Sequence, residues 1–235
     1  MKSIIKIEKP QFLAGTESAR EDWAKITGRA MRLREPTFRH TETGEYYTNI
    51  VGGIAYMMGL SPGVIIIMGV QTEPKLRFSV LEAYESQDLF SLLPKILELR
   101  VKYGFGEDSR LLPWFYGDER RFSSIVMKIS EALERRLGPD YGLYIKDTVD
   151  LRLPHAFSLY LRQIYGVLSK GTLVFPVANL VQSHLQGFSK LDADRGLPQD
   201  HPAVGLLGGM VHSLLIEQPW LEATEGEEAV FNLAV

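Results

Sequence analysis

Apolar positions along the chain follow two periods, and each period marks a different kind of element. The run Gly63-Val64-Ile65-Ile66-Ile67-Met68-Gly69-Val70 is apolar on both alternating faces, which predicts a central strand covered on both sides. Lys75–Tyr84 then alternates Leu76, Phe78 and Val80 with Lys75, Arg77 and Ser79, the pattern of an antiparallel strand with one wetter face. From Gln87 to Tyr103 the period changes: Leu89, Leu92, Leu93, Ile96, Leu97 and Leu99 gather on one side of a helix that Gly104 stops. A second amphipathic helix is predicted over Phe122 to Leu137, through Ile125, Val126, Ile129 and Leu133, closed by Gly138-Pro139.

Further strands are predicted at Leu111–Tyr116, Tyr141–Asp147 and Thr172–Pro176, with helices over His155–Ser169, Leu180–Phe188 and Val204–Ile216. Ahead of these, MKSIIKIEKPQF reads as a short strand. Glu17 to Arg34, with Trp23, Ile26, Ala30 and Leu33 at helical spacing, reads as an amphipathic helix ended by Pro36. Thr37–His40 and Tyr46–Ile50 flank Glu42-Thr43-Gly44-Glu45 as the arms of a hairpin. Strands followed by mixed alternation of strands and helices predict an α/β fold, a mixed sheet flanked by helices.

One stretch complicates this picture. Tyr46 to Thr72 carries no charge over 27 residues, long enough for a membrane span. Five glycines interrupt it, however, and Leu60-Ser61-Pro62-Gly63 is a turn between two β-branched or aromatic runs, so two buried strands joined by a turn are expected instead. The N-terminus lacks the apolar core of a signal peptide, which favours a cytoplasmic protein that does not enter a membrane.

Composition narrows the chemistry. The 235 residues are 45% hydrophobic and 23% charged, ordinary usage for one large globular domain. With no cysteine, disulfide scaffolds, thiolate zinc sites, iron–sulfur clusters and cysteine nucleophiles are excluded. A net charge of −3 gives no whole-molecule attraction to nucleic acid, so such binding needs a local patch. One candidate is Arg20 to Arg39, with six basic residues against three acids, which also reads as the solvated face of a helix. Ser213 to Val235 holds five glutamates and no Lys or Arg, and is expected to end in an acidic tail over residues 218–235.

Several catalytic motifs fail on inspection. Ser169-Lys170-Gly171-Thr172 approaches a P-loop but precedes a strand, and no G-x-G-x-x-G follows a strand. In Gly59-Leu60-Ser61-Pro62-Gly63, Pro62 removes the backbone N–H that a nucleophile elbow requires after its serine. His201 and His212 would stand about 16 Å apart along one helix and cannot share a metal. His155 and His184 read as ordinary polar groups. Asp118, leaving the strand Pro113-Trp114-Phe115-Tyr116, is the strongest acid candidate, and its position equally suits a turn or cap before the next helix.

The order of elements resembles the RNase H-like nuclease domain of bacteriophage terminase large subunits. Three segments carry the resemblance besides Tyr116-Gly117-Asp118: Phe157-Ser158-Leu159-Tyr160-Leu161-Arg162-Gln163-Ile164-Tyr165, Gly171-Thr172-Leu173-Val174-Phe175-Pro176, and Asp200-His201-Pro202-Ala203-Val204-Gly205-Leu206-Leu207. It spans roughly Pro62 to Leu215. It implies an RNase H-like domain over 51–217 behind an N-terminal helix and hairpin extension over 1–50.

That family holds a metal pair with an acid on the first central strand, an acid ending a later strand, and an aspartate opening the last helix. Carried over by position, these fall at Gln71, Asp118 and Gly205, so only the middle acid survives. Glu73 and Asp200 are the nearest acids that could refill the set, giving metal ligands Asp118, Glu73 and Asp200 for Mg²⁺ or Mn²⁺; Glu82 or Glu85 serve in a shifted alignment. Asp118 is then the catalytic candidate. If active, the resemblance implies a Mg²⁺- or Mn²⁺-dependent DNA endonuclease; with a degenerate site, it implies a silent DNA-binding or phage-assembly module with DNA and packaging proteins as partners. A phage structural protein that touches no nucleic acid is the remaining reading. This frame requires the segments ending at Gln71 and Asp118 to be neighbours, with the helix carrying Gly205, Gly208 and Gly209 lying close against the sheet.

Overall fold

The structure is a computed structural model that describes residues 5–8, 37–55, 62–71, 76–103, 115–118, 128, 130–136, 138, 145–149, 154–176, 179–187 and 201–217. The helix expected over Glu17–Arg34, Glu73, Asp200, Ser61 and the tail over 218–235 lie outside these residues. In chain order the elements are β1 (Ile5–Glu8), β2 (Thr37–His40), β3 (Tyr46–Tyr47), β4 (Asn49–Ala55), β5 (Gly63–Gln71), β6 (Arg77–Ser86), α1 (Leu89–Lys102), β7 (Phe115–Asp118), β8 (Ile145–Val149), α2 (Pro154–Ser169), β9 (Leu173–Val174), α3 (Leu180–Gly187) and α4 (Pro202–Glu217). Residues 130–136 are helical within the second predicted helix.

Six strands form one mixed sheet in the order β8-β7-β4-β5-β6-β9. β4, β5 and β6 pair antiparallel, while β7 joins β4 and β8 joins β7 in parallel. Three antiparallel strands extended by two parallel ones beside the first make this an RNase H-like mixed sheet flanked by helices, and β9 lengthens it beside β6 in parallel. The uncharged stretch resolves into β4 and β5, and among the described residues no helix is long and apolar enough to cross a membrane.

Alternation along β4 and β5 divides the core between two faces. Val51, Ala55, Val64, Ile66, Met68 and Val70 pack under α2, α3 and α4. Ile50, Ile54, Ile65 and Ile67 pack under α1, through Leu92, Ile96 and Leu99. Burial on both faces is why β5 is apolar at every position rather than every second one.

The hairpin forms as expected, but its second arm splits. Tyr46 and Tyr47 pair with β2 in a small sheet, β1-β2-β3. At Thr48 both the backbone N–H and the hydroxyl donate to Val70 O, at 2.7 and 2.9 Å, and from Asn49 the chain belongs to the large sheet. Tyr47 then lays its ring on Gly69, where a Cβ would stand 2.6 Å from Tyr47 Cδ1, so glycine there makes room for the ring.

Two expectations are corrected. The segments ending at Gln71 and Asp118 share the sheet but are not adjacent, since β4 lies between β5 and β7. And Gly208 does not bring α4 to the sheet. A Cβ at 208 would meet Tyr160 of α2, so this glycine serves a helix–helix approach, while the close approach of α4 to the sheet occurs at Gly53 of β4, under Met210 and Leu206. The P-loop-like Ser169-Lys170-Gly171-Thr172 is a helix end: Thr172 N–H donates to Val167 O and Gly171 N–H to Leu168 O, at 2.8 and 3.0 Å, around a left-handed Gly171.

Candidate functional site

The parallel pairing of β4 with β7 sets the C-terminal end of β4 beside Asp118, the acid candidate that ends β7. Ile54 pairs with Gly117, so the next residues, Ala55 and Asp118, come level. Asp118 pairs with Val149 on β8, Ala55 with Val64, and Val64 with Glu85. One row thus crosses the sheet as Val149, Asp118, Ala55, Val64 and Glu85. Asp147 pairs with Tyr116, two residues back from Asp118, and two such positions on neighbouring strands are about 8 Å apart between Cα atoms.

Gln71 stands at the other end. It pairs with Arg77, and Val70 with Asn49, the first residue of β4. Seven residue steps separate Gln71 from Val64 in the row of Asp118, about 24 Å of strand at about 3.4 Å per residue. Two metal ions acting on one phosphodiester sit about 4 Å apart, so the Gln71 position and Asp118 cannot belong to one such site. The two positions that the resemblance assigned to one metal pair thus stand at opposite ends of the sheet.

On β4 itself, Asn49-Ile50-Val51-Gly52-Gly53-Ile54-Ala55 offers no carboxylate. The surface over Gly53 is closed by the Met210 thioether and Leu206, and Ala55 is fully buried. α4 has no acid in its first turn, and Gly205, the third carried-over position, is buried within it. Among the described residues no three His, Asp or Glu side chains converge as a metal-binding group. Hard divalent cations need several carboxylate oxygens, and the thioether over the alanine and glycine of β4 supplies none; Glu73 and Asp200, the other two acids of the expected set, lie outside the described residues.

The two alternative acids on β6 lie on opposite faces, because an odd number of residue steps separates Glu82 from Glu85 and side chains alternate along a strand. Glu82 turns toward α1. Lys95 and Lys102 donate to its two oxygens at 2.9 and 2.6 Å, and the Tyr103 hydroxyl donates at 3.2 Å. Burial alone would raise the Glu82 pKa, but the hydrogen bonds and charges of Lys102 and Lys95 outweigh it and hold the carboxyl below its ordinary range. Burial and the Glu82 charge push the Tyr103 phenol up. A carboxylate held by two ammonium groups and a phenol is a structural ion network, not a metal ligand.

Glu85 turns to the other face, toward α3. The Asn179 side chain caps that helix, accepting from Val181 N–H and Gln182 N–H at 3.1 and 3.3 Å, and donates to Val80 O at 3.2 Å. α3 is thereby docked on β6 so that His184 Nε2 lies 3.8 Å from Glu85 Oε2. Sequence reading missed this pair, Asp147 and the Met210 cover alike, since each depends on which strand ends come level. The signal it could have used is the absence of any acid from Asn49 to Ala55, the segment that becomes β4.

Neither a protein-family model nor a curated protein matches the sequence. Among solved structures, the chain is similar to the large terminase nuclease from thermophilic phage G20c, crystallised with bound zinc, with a TM-score of 0.42 and 13% identity, covering 76% of this chain and 87% of that one. The RNase H-like description rests on the strand order and directions given above.

Proposed function

We propose that this chain is a phage-derived, DNA-binding member of the RNase H-like group that does not hydrolyse phosphodiesters. One observation carries the loss of chemistry: β4, the strand paired in parallel with the one that ends at Asp118, bears no carboxylate and lies under Met210 and Leu206 at Gly53. Asp118 alone cannot balance two divalent cations. DNA as the partner is supported by the basic excess over Arg20 to Arg39, since a local patch suffices for phosphate binding in a protein of net charge −3.

The test is incubation of supercoiled plasmid with Mn²⁺ or Mg²⁺, comparing the wild type with Asp118→Ala. Both are expected to leave the plasmid intact while retarding it in a gel at low salt, with retardation lost as salt rises. Nicking by the wild type that Asp118→Ala abolishes overturns this reading in favour of a metal-dependent endonuclease, with Glu73 and Asp200 as the next ligands to substitute. Absence of retardation at low salt overturns the DNA-binding half.

A further inference from the structure

α2 buries one stripe and leaves the opposite one bare. Phe157, Tyr160, Leu161, Ile164 and Val167 pack in the core. Arg162, Tyr165, Gly166 and Ser169, spaced three and four residues apart, are exposed, and Lys170 continues that face just beyond the last turn. Tyr165 is 53% exposed, one of few large side chains so placed among the described residues.

The charge on this stripe is all of one sign. From Leu151 to Leu191 the chain holds four Lys or Arg and no Asp or Glu, so nothing on this stretch neutralises Arg162 or Lys170. Neither makes an ion pair among the described residues. They stand eight positions apart, about 12 Å along the helix axis. Gly166 lies midway, four residues from each. A Cβ there would meet nothing within 4 Å, so no packing demands glycine, and the left-handed turn that ends the helix is made by Gly171 instead. Glycine in a helix interior costs stability relative to alanine; what it offers in return is close approach to the backbone. Gly166 therefore leaves a notch in the exposed stripe, with a positive charge on either side of it.

We infer that the exposed stripe of α2 is a docking surface for the phosphate backbone of duplex DNA, with Arg162 and Lys170 neutralising phosphates, the Tyr165 hydroxyl donating to a phosphate oxygen, and Gly166 admitting the backbone close to the helix. The inference rests on the DNA-binding reading above and adds the element that holds the duplex. Unpaired cations and a hydroxyl donor with no acid among them complement a phosphate ridge, and such contacts position a protein on DNA without reading its sequence. One ring is too few for the successive base stacking that holds single strands, so the duplex is the form this stripe fits.

Fluorescence anisotropy on the full chain, with two labelled 20-bp duplexes of unrelated sequence at 50 and 200 mM salt, tests it. Arg162→Ala and Lys170→Ala are each expected to weaken binding equally on both duplexes and to lower the salt slope by about one, and the double variant by about two. Tyr165→Phe, which loses only the donor, should weaken binding roughly tenfold. Gly166→Leu fills the notch and should weaken binding while melting no lower than the wild type, a split that a merely structural glycine would not give. An unchanged affinity and salt slope in the Arg162→Ala/Lys170→Ala double variant overturns this surface and leaves the DNA-binding reading standing. Polyglutamate that displaces the duplex as readily as unlabelled duplex does overturns it in favour of an acidic protein partner. A wild type that binds neither duplex at the lower salt overturns both readings.

Discussion

Gly208 on α4 and Tyr160 on α2 meet with no room for a methyl group: a Cβ at 208 would stand 2.6 Å from Tyr160 Cβ and 3.0 Å from Tyr160 O. The obstacle is partly backbone, so no rotamer change at Tyr160 relieves it. Because α4 also covers Gly53 on β4, this contact fixes the helix that closes the end of the candidate site.

Gly208→Ala accordingly sets two effects against each other. In a helix interior alanine is favoured over glycine by about 1 kcal/mol. Overpacking a closed contact costs about 1–3 kcal/mol, and the backbone atom at 3.0 Å places this site at the upper end. The expected result is net destabilisation by about 1–2 kcal/mol in denaturant unfolding, with Gly208→Leu worse. A melting temperature equal to or above that of the wild type would refute the packing role.

The cover over β4 makes a second prediction. Gly53→Ala should cost about 1–3 kcal/mol, because its methyl group occupies the place of Met210 Sδ. Combined with Met210→Ala, the double variant should be more stable than the sum of the single costs allows, since the smaller side chain removes the collision. Strict additivity in urea unfolding would show that Met210 does not lie over Gly53 in solution.

Glu82 provides a pH-dependent signature. Its folded pKa lies below the ordinary value, so its ion network stabilises the fold above the unfolded carboxylate pKa of about 4.3 and loses that contribution as pH falls through the lower folded value. For Lys95, burial pulls the pKa down, but hydrogen bonds to Glu82 and Glu98 raise it above the usual lysine value. Its share is therefore present below about pH 10.4 and lost as pH rises through the folded value. Glu82→Gln should destabilise by about 1–3 kcal/mol at pH 7, and the difference from wild type should shrink below about pH 4. A difference that stays constant from pH 7 to pH 3 would mean the carboxylate charge contributes nothing.

Much of the fold was legible along the chain because helix and strand periods are local. β5, β6, α1, α2, α3 and α4 lie where apolar spacing and glycine or proline stops predict them, and the hairpin closes around a left-handed Gly44. At the parallel side, β7 spans Phe115–Asp118 and overlaps the predicted Leu111–Tyr116 at Phe115 and Tyr116, residues 111–114 lying outside those described. The candidate site was legible only in its missing members. That no acid stands between Asn49 and Ala55 is plain in the sequence, but nothing there says that this segment pairs in parallel with the strand that ends at Asp118.

By itself, then, the sequence determined the elements, the absence of thiol chemistry, and which stretches carry no carboxylate, all being properties of neighbouring residues. Only the tertiary structure decided that β4 separates β5 from β7, that Gln71 and Asp118 stand at opposite ends of the sheet, and that Gly208 faces Tyr160. Pairing between distant strands is selected by how whole faces bury against helices, and that sum leaves no mark on any one segment.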